Sequence, residues 1–244
     1  MSEAALPRYL HAGESALVVE FGDSIDPAIH DRVLALDRAV AGAAIPGVVE
    51  TVPTYRSLMV HYDPERLAPT ALIERLGNLP QAADEALQAR RRWIVPACYA
   101  PGFALDLAFV AETLGLTTDR VVTLHSGAIY RIYMYGFAPG FAYLGGLPKA
   151  LDISRRAEPR ARVPGNCLLI AGGQAVISTV PMPTGWHVVG RTPAHFFALE
   201  RDPIFLAAVG DEVTFEAIDE PSFAALDARA DSGEPIARLA AGGS

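Results

Sequence analysis

Apolar positions along this chain fall into short blocks, and the period within the blocks changes from one to the next. Residues 15–21 (SALVVEF) form a short, largely apolar run of strand length. Asp26-Pro27 then supplies an N-cap and a first-turn proline. Ile29, Val33, Leu36 and Val40 follow at helical spacing, and Gly42 is the expected stop. Residues 48–52 and Ser57–Tyr62 read as two strands joined by a turn at Pro53-Thr54, with Asp63-Pro64 breaking the second. Residues 69–76 place Leu72, Ile73 and Leu76 on one face of a second helix, stopped by Gly77-Asn78 and Pro80. Strand, helix, strand, strand, helix is most of a ferredoxin-like α+β unit. Its last strand is expected from residues 92–99.

Residues 81–92 (QAADEALQARRR) are polar and alanine-rich, a solvated helix extension or a linker. They divide the chain into an expected N-terminal domain, 1–85, and a second domain, 86–244. The second is strand-rich. Residues 92–99 form a strand whose Pro96 calls for an edge or a bulge. Helical spacing predicts helices over 105–114 and Thr118–Ser126. Short strands follow at 128–135, 168–171, 176–179, 186–190, 195–199 and 212–217, separated by Gly/Pro turns, as in a closed barrel.

Composition narrows the class. In 244 residues, 51% are hydrophobic and 20% charged, enough to bury real cores. A net charge of −8 without a basic stripe argues against nucleic acid as a partner. No stretch has the length of a membrane span. The start MSEAALPRYL lacks a basic region followed by an apolar run, and Cys98 and Cys167 sit in apolar surroundings. A cytoplasmic protein with reduced thiols is expected.

Several familiar chemistries are missing. There is no GxxxxGK[ST], HExxH, CxxC or GxSxG, so no P-loop, no common zinc site and no nucleophile elbow; no metal is expected. The positive signal is YMYGFAPGFAYLGGL at 133–147. Glycine is costly in a core strand and aromatics are wasted in a flexible linker. The segment therefore reads as an ordered loop: a binding loop or a barrel corner plugged by aromatics. Phe137, Pro139, Phe141 and Tyr143 are its candidate ligand contacts. SRRAEPRARVPGN, AGGQAV and GWHVVGRTP follow, setting Arg160, Arg162, Gln174, Trp186 and Arg191 among glycines and prolines. Arginine forks suit carboxylates, glutamine offers donor and acceptor together, and glycine lets a small ligand reach the backbone. Surface ion pairing is the plainer reading of any one arginine. His125, at the end of a predicted helix, is an acid or base near neutral pH, or simply a residue favoured by the helix dipole. His125, Gln174 and Arg191 are the candidate catalytic residues; Arg160, Arg162 and Trp186 join the aromatic loop as candidate substrate contacts.

LHSGAIYRIYMYGFAPGFAYLGGL, EPRARVPGNCLLIAGGQ and GWHVVGRTP, in this order and spacing, resemble the carboxyltransferase subdomain C/D family. The family is also called allophanate hydrolase subunit 1, and it includes the 5-oxoprolinase B-subunit and an inhibitor of a sporulation histidine kinase. The resemblance implies a ferredoxin-like domain followed by a cyclophilin-like β-barrel. It also implies partners, a C-subunit homologue and a LamB-like A-subunit. The activity it implies is ATP-dependent opening of 5-oxoproline to L-glutamate, by a complex rather than by this chain alone. A kinase-binding regulator and a urea- or allophanate-type carboxylase or hydrolase component are the alternatives. A stand-alone prolyl isomerase would rest on barrel type alone, and fold does not fix function. The chain departs from the family pattern where Ser178-Thr179 replaces a Tyr-Pro, where Thr184 replaces a glycine, and where Ala100-Pro101-Gly102 replaces a glycine-rich stretch. These departures fall on loops that would line a pocket.

Overall fold

Asp26 starts the first long helix as its spacing requires. Its carboxylate accepts from Ala28 N at 2.7 Å and Ile29 N at 3.3 Å, and Pro27 takes the first position of α1, Pro27–Ala43. The helix runs past Gly42 and stops at Ala44, which adopts φ 45°. In a computed structural model of the chain, residues 7–80 and 90–240 are described, so residues 81–89 of the polar stretch lie outside them. The chain divides into two compact units, Met1–Gln88 and Ala89–Ser244.

The first unit is a four-stranded antiparallel sheet with two helices. Its strands are Arg8–His11 (β1), Ala16–Glu20 (β2), Val48–Pro53 (β3) and Ser57–Tyr62 (β4), in the order β1-β2-β4-β3. With α1 and Pro69–Gly77 (α2), this is the ferredoxin-like arrangement with one correction. The edge strand expected from residues 92–99 is instead β1, at the N-terminal side. Arg8–His11 forms a tight hairpin with β2, pairing Leu10 with Val18, and so fills that edge locally. Leu17, Val19, Leu58 and Val60 turn to the helices and are fully buried against Val33, Leu36, Val40, Leu72 and Leu76. Each is worth roughly 1.5–3 kcal/mol of burial.

The second unit is a closed barrel of the cyclophilin-like kind expected. Its seven strands are Arg92–Cys98 (β5), Tyr130–Tyr135 (β6), Ala142–Gly145 (β7), Cys167–Ala171 (β9), Gln174–Ile177 (β10), His187–Arg191 (β12) and Glu212–Ile218 (β13). They run β12-β9-β10-β7-β6-β13-β5, and β5 pairs back to β12. Leu107–Leu114 (α3) and Thr118–Ser126 (α4) pack beside it. Ile132, Leu144, Leu168, Ile170, Val189 and Phe196 fill the interior. Pro96 is tolerated because the edge of β5 away from β13 is only partly used. Arg238–Leu239 (β14) takes Trp93 and Ile94, β12 takes Cys98, and Pro96 falls between. Arg160–Val163 (β8) and Met182–Thr184 (β11) form a separate two-stranded sheet. Around it, a second apolar cluster brings Phe141, Val163, Cys167, Leu169, Val176 and Val188 together. A last helix, Glu220–Asp231 (α5), contacts β5.

The expected strand at 195–199 does not form. Only Phe197 and Phe205 make a bridge. The segment pairs with 204–206 only briefly, through Leu206 N to Phe196 O and Ala198 N to Ile204 O. Arg201 closes this turn, its guanidinium donating to the carbonyls of His195 (3.0 Å), Ile204 (3.1 Å) and Pro203 (3.3 Å), so that a side chain satisfies acceptors that a longer ladder would otherwise take.

Candidate functional site

Three of the sequence motifs meet at one end of β9, β10 and β12. Arg191 ends β12 and is the register partner of Cys167 on β9 and of Cys98 on β5. Its Nε donates to Gly165 O at 3.2 Å, in the loop before β9. Thr192 N donates to Asn166 O at 2.9 Å in the same loop. Beyond β10, Thr179 Oγ1 donates to Pro139 O at 2.7 Å, tying in the glycine-and-aromatic loop. Ser178 Oγ accepts from Cys167 N at 2.9 Å. One departure from the family pattern, Ser178-Thr179, therefore ties these loops together. Thr184, another, accepts from Trp186 N at 3.1 Å.

Among the described residues, Arg191 is held without a carboxylate. Its guanidinium carbon lies 5.8 Å from the Phe103 ring centroid and 5.4 Å from that of Phe223, and those two rings are 4.5 Å apart. Among the described residues, its terminal Nη groups make no hydrogen bond, so the planar fork is available to an anion. Cys98 and Cys167 flank it as buried thiols. Burial pushes Cys167 up to about 11, against the pull of the Arg191 charge, so it is not a nucleophile near neutral pH.

The aromatic loop is rigid, not a linker. Gly136 N donates to Phe141 O, Ala138 N to Gly136 O and Phe141 N to Ala138 O. Phe137 sits at φ 68° and is 73% exposed, its ring 5.3 Å from the Phe141 ring. Phe141 is buried, and the Tyr143 ring lies 5.1 Å beyond it at a tilt of 57°. Gly140, at φ 71°, lets the loop touch Phe197: an added Cβ would lie 2.5 Å from Phe197 Cβ. Gly140→Ala is expected to cost about 1–3 kcal/mol from strain and clash. A thermal melt with an unchanged midpoint would contradict that rigidity.

Arg160 has a different employer. Asp106, 2% exposed, takes Arg156 Nη1 at 2.6 Å and Arg160 Nη2 at 2.7 Å, and accepts from Val188 N at 2.9 Å. It thereby ties the start of α3 to β8 and β12. Burial alone would raise the Asp106 pKa. The Arg160 and Val188 hydrogen bonds and the two arginine charges outweigh it and hold the carboxyl below its ordinary value. Its stabilisation is present above the unfolded-state pKa and is lost as pH falls through the folded one. Asp106→Asn is expected to cost about 3 kcal/mol, with the loss fading in acid; equal losses at pH 7 and pH 3 would refute the linkage. Arg162 is exposed. Trp186 belongs to the cluster around the β8–β11 sheet, with the Arg155 guanidinium carbon 5.4 Å from its ring.

The candidate catalytic residues are not brought together. Gln174 pairs with Ala171, at the end of β9 opposite Cys167 and Arg191. Four residues of strand separate those levels, about 13 Å, so one small ligand does not touch both. The glycines before Gln174 are a two-residue hairpin turn with φ 55° and 72°, and this is what their motif builds. His125 is 1% exposed in the barrel core. Its Nδ1 and the Tyr99 hydroxyl share a hydrogen bond of 2.9 Å, and its ring stacks on Phe215 at 4.9 Å. Desolvation pushes its pKa down to about 3, so the imidazole is neutral and out of reach of a substrate. Sequence reasoning missed Phe103 and Phe223. They lie far from Arg191 along the chain and meet it only through β5–β12 pairing and α5, so no local spacing announces them.

The chain matches the family described as carboxyltransferase domain, subdomain C and D, over residues 7–207, and it belongs to that family. It is 31% identical over 222 residues to the 5-oxoprolinase B-subunit of Bacillus subtilis, covering 86% of this chain and 92% of the relative. It is 38% identical over 205 residues to the 5-oxoprolinase B-subunit of Escherichia coli O157:H7, covering 83% and 92%. Among solved structures, TTHA0988 superposes with a TM-score of 0.76 at 35% identity, covering 84% of this chain. This chain spans 40% of the length of that one.

Proposed function

We propose that this chain is the barrel component of a cytoplasmic ATP-dependent hydrolase complex that opens 5-oxoproline to L-glutamate. Its partners in this reading are a C-subunit homologue and a LamB-like A-subunit. The observation that carries it is Arg191: an arginine whose Nη groups are unspent among the described residues, where the three family motifs meet. 5-Oxoproline is a compact lactam bearing one carboxylate, the group a planar fork binds. In this reading Arg191 anchors the carboxylate. The rigid loop at Phe137 and Pro139 lies on the same side. The likeness to relatives named as the B-subunit of 5-oxoprolinase supports the substrate.

ATP belongs to the complex. The glycine-rich turns of this chain do not supply a phosphate cradle. The Gly172-Gly173 pair is a hairpin turn, and the amides of Gly136 and Phe141 are spent within their own loop. Phe137, Val180, Leu199 and Ile204 are exposed apolar side chains of this loop and its neighbours, as a face covered by a partner would be. Co-expression with the C-subunit homologue is expected to give one peak in size-exclusion chromatography. Two separate peaks at micromolar concentration would remove the partner.

A further inference from the structure

We infer that α5 belongs to the anion site: Phe223, with Phe103, is a positioning residue that fixes the Arg191 guanidinium for a carboxylate. This rests on the assignment of Arg191 to the substrate. Phe223 is 3% exposed on a helix whose mean character is polar, so its ring is turned inward against the rest of the unit. It contacts the Phe103 ring at 4.5 Å and the Arg191 guanidinium at 5.4 Å. The three groups form a triangle, with both rings on the cation and on each other. Arg191 has four side-chain torsions to immobilise and, among the described residues, one hydrogen bond, Nε to Gly165 O, to do so. An aromatic floor supplies the remaining restraint and leaves the Nη edge unspent, which a salt bridge would not. The acids nearest this end of α5, Asp219 and Glu220, are not within ion-pair distance of Arg191. Asp219 instead accepts from Ser222 N at 2.9 Å as the N-cap of α5.

The helix also lies outside residues 7–207, the part that matches the family. Sequence comparison over the family segment would therefore pass it by. The chemistry expected at the site is a single carboxylate on a compact ligand, presented to one arginine that is already fixed.

Two measurements test this separately. In the assembled complex, Phe223→Leu is expected to raise KM for 5-oxoproline about ten-fold, with kcat changed less than two-fold and Phe223→Tyr close to wild type. In the isolated full chain, the Arg191 Nε–H resonance is expected to be ring-shifted and protected from exchange, and Phe223→Leu is expected to abolish both features. A wild-type complex that does not turn over 5-oxoproline removes the substrate assignment, while the resonance still decides the positioning role. An Arg191 resonance indifferent to Phe223→Leu, or a Phe223→Leu complex with unchanged KM, overturns the inference. Should Phe223→Leu prove unfolded by circular dichroism, Phe103→Leu carries the same expectations and the same refutation.

Discussion

Arg191→Ala is expected to lower kcat/KM of the assembled complex by tens to thousands of fold, while the chain stays folded and assembled. Stranding a bound carboxylate without its cation costs on the order of 2–5 kcal/mol, at about 1.4 kcal/mol per factor of ten. Among the described residues Arg191 makes one hydrogen bond and two aromatic contacts, so its loss is expected to cost stability modestly and leave the fold intact. Arg191→Lys is expected to recover only part of the rate, because a point charge does not reproduce a planar fork. Gln174→Ala is the control the structure provides. It lies at the far end of β9, and its loss is expected to leave turnover within a few fold. Kinetics and circular-dichroism melts on all three variants decide the matter. Normal turnover in Arg191→Ala sinks the anchor, and so does activity lost only in step with melting temperature.

The second large effect is on stability. His125 is neutral in the folded chain, with its pKa pushed down to about 3 by complete burial. An unfolded histidine titrates near 6.5. Below that value the unfolded chain binds a proton that the folded chain refuses, so stability is full above about pH 6.5 and falls toward pH 3. At pH 5 the loss from this one residue is about 2 kcal/mol, at roughly 1.4 kcal/mol per pH unit. His125→Gln is expected to be less stable at pH 7.5, because Tyr99 and Phe215 lose their partner, yet to lose less between pH 7.5 and pH 5. Denaturant melts at the two pH values measure both. Parallel losses in wild type and variant would mean that His125 is protonated when folded.

Much of the fold was legible because its signals are local. Asp26-Pro27 capped α1, and Thr118–Ser126 fell where its spacing put it. The barrel followed from turn-bounded short strands. What stayed hidden depends on partners distant in sequence. Arg8–His11 gives no strand signal of its own and becomes an edge only beside β2. Residues 195–199 look like a strand, but they pair only briefly with 204–206 in a turn that Arg201 closes through His195 O. The same holds at the site. The motif residues around Arg191 were visible as glycines and prolines beside a fork. Their division between two ends of β9 was not, because register decides it. Arg160 looked as available as Arg191, and only the fold reveals that Asp106 already holds it.

The most direct test of the account is ATP-dependent release of glutamate from 5-oxoproline, assayed with the purified chain, with its co-purified partners, and with the Arg191→Ala complex. Turnover is expected from the wild-type complex, none from the chain alone, and a loss of at least ten-fold in the variant. Robust turnover by the chain alone, or a stable wild-type complex that leaves 5-oxoproline untouched, would contradict it.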